Sequence, residues 1–145
     1  MVPPNVQFQI DDLEDEWTFS EPFDYIYTRF MTVSFANWPR FFDQSFTNLN
    51  TGGWIEVLDI LPPTSDDGTM SPDTALYRWS NLLLESTQKI GRPFGGTSSL
   101  KSQMEAAGFK NVSQRVYKWP QNRWPKDPKY KELGKLCLMT GRGWR

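Results

Sequence analysis

Apolar positions along the chain recur with two periods, and the switch between them marks the elements. Asn5-Val-Gln-Phe-Gln-Ile10 alternates, with Val6, Phe8 and Ile10 on one face, and predicts a strand. It runs into an acidic loop, Asp11-Asp-Leu-Glu-Asp-Glu-Trp17. Phe23-Asp-Tyr-Ile-Tyr-Thr-Arg-Phe30 is rich in aromatic and β-branched residues and predicts a second strand. Asn37 then stands as an N-cap with Pro39 in the first helical turn, and Phe41, Phe42, Ser45, Phe46 and Leu49 recur at helical spacing until Gly52-Gly53. Trp54 to Ile60 follows as a third strand, apolar enough to predict burial on both faces. After a loop from Pro62 to Gly68, Ser71 is placed to cap a helix with Pro72 at its first position. Ala75, Leu76, Trp79, Leu82 and Leu83 form the apolar face of that helix. A further helix is predicted over Ser98 to Ala107, stopped by Gly108, and a strand over Asn111 to Tyr117. Trp119-Pro120 to Trp124-Pro125 cannot be regular structure, because each proline turns its predecessor away from the helical region. For Lys129 to Met139 the periodicity leaves helix and strand both open.

Strands alternating with helices predict an α/β protein with a mainly parallel sheet flanked by helices. In such sheets ligands sit beyond the carboxyl ends of the strands. The residues of interest are therefore those just after each strand: Asp11 to Glu14, Thr28 to Phe30, and Asp59.

Composition narrows the chemistry. The 145 residues are 38% hydrophobic and 23% charged, which fits neither a disordered chain nor a membrane protein. No apolar stretch approaches the roughly 20 residues of a spanning helix, so no membrane partner is expected. Histidine is absent, which excludes a Ser–His–Asp or Cys–His triad, a histidine-bearing zinc site and imidazole acid–base chemistry. Cys137 is the one cysteine, so no internal disulfide and no thiolate cluster can form, and no metal site is expected. The N-terminus shows neither a basic start nor a long apolar core, so no secretory signal is expected and a cytoplasmic or nuclear setting is the default. The net charge of −1 conceals an asymmetry: residues 1–109 carry 15 Asp/Glu against 6 Lys/Arg, and residues 110–145 carry 10 Lys/Arg against 2 Asp/Glu. Trp119 and Trp124 lie within this basic C-terminal segment, and cations with interleaved indoles suit nucleic acid. Attraction between two oppositely charged halves, or a solvated face, accounts for the same pattern, and nucleic acid ranks lowest among the expected partners.

The blocks Val6 to Trp17, Phe23 to Phe30, Asn37-Trp-Pro-Arg40, Asn48 to Ile60, Gly108-Phe109 and Trp124 to Gly134, in this order and spacing, resemble class I S-adenosylmethionine-dependent methyltransferases. The resemblance is closest to the LaeA-like group of fungal regulators and secondary-metabolism enzymes. It implies S-adenosyl-L-methionine as cofactor and a methyl acceptor that the residues do not identify. It also implies that Asp12 accepts the exocyclic amine of adenine and that the Leu13 N–H faces a ring nitrogen. Thr28 and Arg29 would border the methionine end, and Asp59 would face the substrate cleft. Read on the residues alone, Asp11 to Glu16 is first of all a solvated acidic turn and Arg29 a surface ion-pair partner. Glu56, deeper in its strand, would anchor a neighbour by hydrogen bonding.

The resemblance also says what these 145 residues do not contain. The family holds its cofactor on a glycine-rich loop after the first strand, where close approach to backbone requires glycine. Met1 aligns just before the third strand. The expected architecture is an incomplete Rossmann-like methyltransferase fold lacking the first two strands, a single partial domain over residues 1–145 with a basic segment at 110–145. In the family order (third, second, first, fourth, fifth, seventh, sixth) the Phe23–Phe30 strand becomes an edge. Either the Asn5–Asp11 strand moves in beside it, or a protein partner covers it. The implied function is that of a methyltransferase-like protein of fungal secondary metabolism or its regulation, with activity of the isolated chain impaired by the missing loop. The alternative is a non-catalytic interaction module derived from a methyltransferase. Methyl transfer depends on positioning donor and acceptor, so the missing histidine is no obstacle to it. No catalytic residue is assigned.

Overall fold

The computed structural model describes residues 3–141, the side chains of residue 97 and of residues 138–141 excepted. Its contacts divide the chain into two units, one ending at Val112 and one beginning at Ser113.

The first unit is built around a β–α–β segment whose signals are local. β1 (Phe23–Arg29) carries the aromatic and β-branched run. α1 (Trp38–Thr47) starts where Asn37 Oδ1 accepts from the Arg40 amide at 3.0 Å, with Pro39 in its first turn. It ends at Asn48, whose backbone amide and side-chain amide both donate to the Gln44 carbonyl. β2 (Leu49–Leu58) follows at once and pairs parallel with β1, as the resemblance implies for the family's fourth and fifth strands. The Gly52-Gly53 pair therefore does not stop the helix. It lies inside β2, where the register with β1 shifts between Phe23 and Tyr25. Gly52 adopts φ +87°, and a Cβ at Gly53 would meet the Asn50 carbonyl at 2.9 Å and the Asp24 carbonyl at 3.1 Å. The irregularity needs glycine at both positions.

α1 covers one face of this sheet. Phe35, Trp38, Phe41, Phe42 and Leu100 form the buried core, with Ile26, Ile55 and Val57 of the sheet against it. Its rings interlock edge-to-face and stacked, Phe35–Trp38 at 4.7 Å and Phe35–Phe41 at 4.6 Å between centroids. Ser45, fully buried within α1, donates back to the Phe41 carbonyl at 2.8 Å, so its burial leaves no orphaned hydroxyl. α2 (Ala75–Lys89), a 3₁₀ turn (Phe94–Ser99) and α3 (Leu100–Ala106) complete the unit. α3 closes at Gly108, φ +112°, which lies under the Phe46 ring and leads into the Phe46–Phe109 contact at 5.1 Å.

Five expectations are corrected. Residues 5–10 form no strand; Phe8 and Ile10 stand in solvent, because period-2 alternation makes a strand only where a neighbour supplies hydrogen bonds. They do not join β1, and the sheet among the described residues has two strands. Residues 111–117 are likewise irregular, with Val116 and Tyr117 exposed. β2 is not buried on both faces: Ile55 and Val57 turn to the core, while Trp54, Glu56 and Leu58 are exposed. The α2 cap is Thr74, whose hydroxyl accepts from the Tyr77 amide, and Ser71 instead forms the turn before it. The predicted apolar face of α2 is largely exposed at Leu76, Trp79 and Leu82, whereas Ser80 and Thr87 are buried. Thr87 can be buried because its hydroxyl donates to the Leu83 carbonyl and accepts from the Phe94 amide.

In the second unit, α4 (Pro128–Gly141) resolves the open choice for Lys129 to Met139 as helix. Asp127 caps it by accepting from the Lys129 and Tyr130 amides at 2.8 and 3.2 Å. Residues 119–125 are irregular, as their two Trp-Pro pairs require. No helix among the described residues is long and apolar enough to cross a membrane.

Candidate functional site

The carboxyl ends of β1 and β2 lie side by side, Thr28 opposite Val57 and Arg29 opposite Leu58. Two buried oxygens there have no hydrogen-bond partner among the described residues: Thr28 Oγ1 and Asp59 Oδ2. Thr28 is 8% exposed, so water does not readily satisfy its hydroxyl. The backbone just beyond β1 is strained. Phe30 and Val33 adopt φ of 56° and 67°, a left-handed region that is costly for any residue with a Cβ and most of all for β-branched valine. These orphaned atoms and this strain lie at the carboxyl end of the parallel strands, the end beyond which ligands of open α/β sheets sit.

The loop from Phe30 to Asn37 is held at both ends. Phe30 N–H donates to the Leu58 carbonyl at 2.9 Å, and the Thr32 hydroxyl donates to Asp59 Oδ1. At the far end Glu14 Oε1 accepts from the Ala36 and Asn37 amides at 2.8 and 2.9 Å. Glu14 Oε2 pairs with Arg92 at 3.0 Å. The acidic segment is thus fastened to the start of α1, where a carboxylate meets amides that have no intrahelical partner and the positive end of the helix dipole. A second fastening lies about two turns further on. Gln44 Nε2 donates to the Leu13 carbonyl at 3.2 Å, and Gln44 Oε1 accepts from the Trp17 amide at 3.1 Å. Trp17 Nε1 closes the ring by donating to the same Leu13 carbonyl at 3.1 Å.

Each residue singled out from the sequence can now be placed. Asp12 is exposed; its Oδ1 accepts from the Glu14 amide at 2.9 Å. The adjacent Leu13 is half-buried against the core, and no bond among the described residues takes up its N–H. Thr28 is buried with its hydroxyl unpartnered, and Arg29 is exposed with its guanidinium 5.7 Å from the Phe30 ring centroid. Asp59 is half-buried, its Oδ1 engaged by Thr32 and by the Ile60 amide. Glu56 lies on the opposite sheet face, where it accepts from the Tyr25 hydroxyl at 2.8 Å and pushes that phenol above its ordinary pKa. The acidic segment and the strand ends are therefore joined by one loop, through Glu14 at one end and Asp59 at the other. Glu14, Thr32, Gln44 and Arg92 were not assigned roles from the sequence. Their partners lie 22 to 78 positions away, and no local pattern signals such pairs.

Asp12 and Leu13 can be tested against the adenine end of a cofactor. An exposed carboxylate and a neighbouring N–H present an acceptor and a donor side by side, the complement of an amine and ring nitrogen on one base edge. The glycine cradle that a methionine end would need is not found at these strand ends: Gly52 and Gly53 belong to β2, and Gly95 and Gly96 to the 3₁₀ turn. Among the described residues no group of three or more Cys, Asp or Glu could hold a metal ion. A shallow concavity along α2, lined by Tyr77, Asn81 and Leu82 among others, brings together none of the residues above.

Sequence comparison gives the class. The chain belongs to the methyltransferase-domain family, whose profile matches residues 2–114. It is 37% identical over 139 residues to the methyltransferase pytC of Aspergillus terreus, covering 95% of this chain and 43% of that protein. It is 39% identical over 124 residues to the probable methyltransferase tdiE of Emericella nidulans, covering 85% of this chain and 39% of that protein. The secondary metabolism regulator LAE1 of Cochliobolus heterostrophus is 36% identical over 138 residues, covering 92% of this chain and 45% of its own length. The chain thus spans less than half the length of the curated relatives it matches. No solved structure matches it. Methyltransferases of this family generally use S-adenosylmethionine.

Proposed function

We propose that the chain supplies the adenine-facing half of an S-adenosylmethionine site in a methyltransferase of fungal secondary metabolism or its regulation, in a cytoplasmic or nuclear setting. The observation that carries this reading is that an exposed carboxylate, Asp12, is followed in the chain by a backbone N–H, that of Leu13, which takes no bond among the described residues, on a segment fastened to α1. Asp12 would accept from the exocyclic amine and Leu13 would donate to the ring. Thr28 and Arg29, at the β1 end, would border the methionine end, and Asp59 the acceptor cleft. When bound, the cofactor supplies an electrophilic methyl group on sulfonium. The chain's own residues bind and orient, and the 145 residues alone are not expected to sustain turnover. The methyl acceptor stays unassigned.

A titration calorimetry experiment with S-adenosylmethionine tests this. Saturable heat that Asp12→Ala abolishes, with the melting temperature unchanged, supports the reading, because Asp12 is exposed and anchors no core residue. Absence of heat from the unaltered chain overturns it.

A second reading has its own observation. Tyr25, Tyr27, Trp54 and Leu58 are exposed together on the sheet face away from α1, and the outer edge of β1 is unpaired among the described residues. An interaction module would use that edge and face to engage a protein partner. It would bind no cofactor, so the same titration separates the two.

A further inference from the structure

The acidic segment carries five carboxylates between Asp11 and Glu16, and among the described residues one of them, Glu14, reaches out of it to grip the rest of the unit. Glu14 uses both its oxygens, one on the amides that open α1 and one on Arg92. Arg92 is in turn anchored at the end of α2, where its backbone amide donates to the Thr87 carbonyl at 2.9 Å. Its neighbours in the segment behave differently. Among the described residues, the bonds of Asp11 and Asp12 stay within three positions of themselves, turning the chain locally without fixing it to another element. The bond from the Glu14 amide to Asp12 Oδ1 means that wherever Glu14 is held, the Asp12 carboxylate is held also. Gln44, on α1, fixes the Leu13 carbonyl from the other side.

From this we infer that Glu14 is a positioning residue. It braces the Asp12–Leu13 pair against the start of α1 and against Arg92, so that acceptor and donor present a fixed edge to a ligand. The inference rests on the adenine-binding reading above and adds the residue that gives that edge its geometry. Glu14 itself touches no ligand in this account. Its side chain is 19% exposed and both oxygens are already engaged. A binding pair carried on a free loop must order on each encounter, and a pair held in place does not.

Hydrogen exchange and calorimetry on the full chain, with S-adenosylhomocysteine as probe, test the brace and the site separately. In the unaltered chain the Ala36 and Asn37 amides exchange slowly, and the probe adds protection over Asp12 to Trp17. Glu14→Ala frees the Ala36 and Asn37 amides and weakens the probe by about tenfold or more, while exchange in the β1–β2 core is unchanged. Glu14→Gln keeps an oxygen for both amides but turns an NH2 donor toward the Arg92 guanidinium, so it loses that arm of the brace alone and binds between the unaltered chain and Glu14→Ala. Should the alanine variant fail to fold, Glu14→Asp carries the test. Its carboxylate, one methylene shorter, cannot span both amides and Arg92, and it weakens the probe as alanine would. Unchanged affinity in a folded Glu14→Ala or Glu14→Asp overturns the positioning role while leaving the site intact. Glu14→Gln as weak as Glu14→Ala, with the Ala36 and Asn37 amides still slow to exchange, overturns it too, since holding those amides would then not be what the ligand senses. No added protection in the unaltered chain removes the site, and the positioning role with it.

Discussion

The two faces of the β1–β2 sheet carry comparable apolar material and end in different surroundings. Ile26, Ile55 and Val57 lie under α1 against Phe35, Phe41 and Phe42. Tyr25, Tyr27, Trp54 and Leu58 alternate with them along the same strands, yet face outward, with the Tyr25 and Tyr27 rings stacked only on each other at 6.3 Å. Strand alternation states which residues share a face; whether a layer lies on that face depends on another element of chain. The inner face has α1 because a one-residue link returns the chain directly from that helix into β2. Nothing among the described residues does the same for the outer face.

Breaking the inner face should have the largest effect. Phe42 is fully buried and touches Trp38 and Phe41 through its ring, so Phe42→Ala should cost about 3–5 kcal/mol, read as a lowered urea midpoint. Thr28 lies on the same inner face but ends in a hydroxyl with no partner among the described residues. Thr28→Val removes the orphan at nearly constant volume and should stabilise the apo chain by about 1 kcal/mol in the same measurement. A loss of stability would mean the hydroxyl is satisfied in solution. On the outer face Trp54 is 72% exposed. Trp54→Ser should change stability by no more than about 0.5 kcal/mol, and a larger loss would show that the isolated chain covers that face in solution.

Much of the inner layer was legible in the sequence because its signals are local. Asn37 followed by Pro39 sets the start of α1 within one turn, and the Phe41, Phe42, Ser45 spacing gives its buried stripe. β1 and the helix ending at Gly108 were readable for the same reason. The strand expected over residues 5–10 failed because alternation is necessary for a strand but a hydrogen-bonding neighbour makes one. The face of α2 failed differently. Thr87 is buried by virtue of where its hydroxyl bonds, and hydropathy cannot see that bond. In the site, the acidic segment was visible as a motif, with Asp12 and Leu13 marked through the family resemblance. What fastens it was not visible, since Glu14 meets Ala36 and Asn37 across 22 and 23 positions. The chemistry of such a site is written locally and its geometry at long range.

Trp17 gives the molecule a built-in optical and magnetic gauge of this arrangement. Its indole N–H bonds to the Leu13 carbonyl, and its ring lies edge-on to Phe41 at 5.8 Å between centroids. It therefore sits at the junction between the acidic segment and the aromatic core. With 5-fluorotryptophan incorporated, the chain's seven tryptophans yield seven fluorine resonances. The one from Trp17 would follow the segment as it loosens or tightens, while that of Trp38, buried in the core, serves as the internal standard.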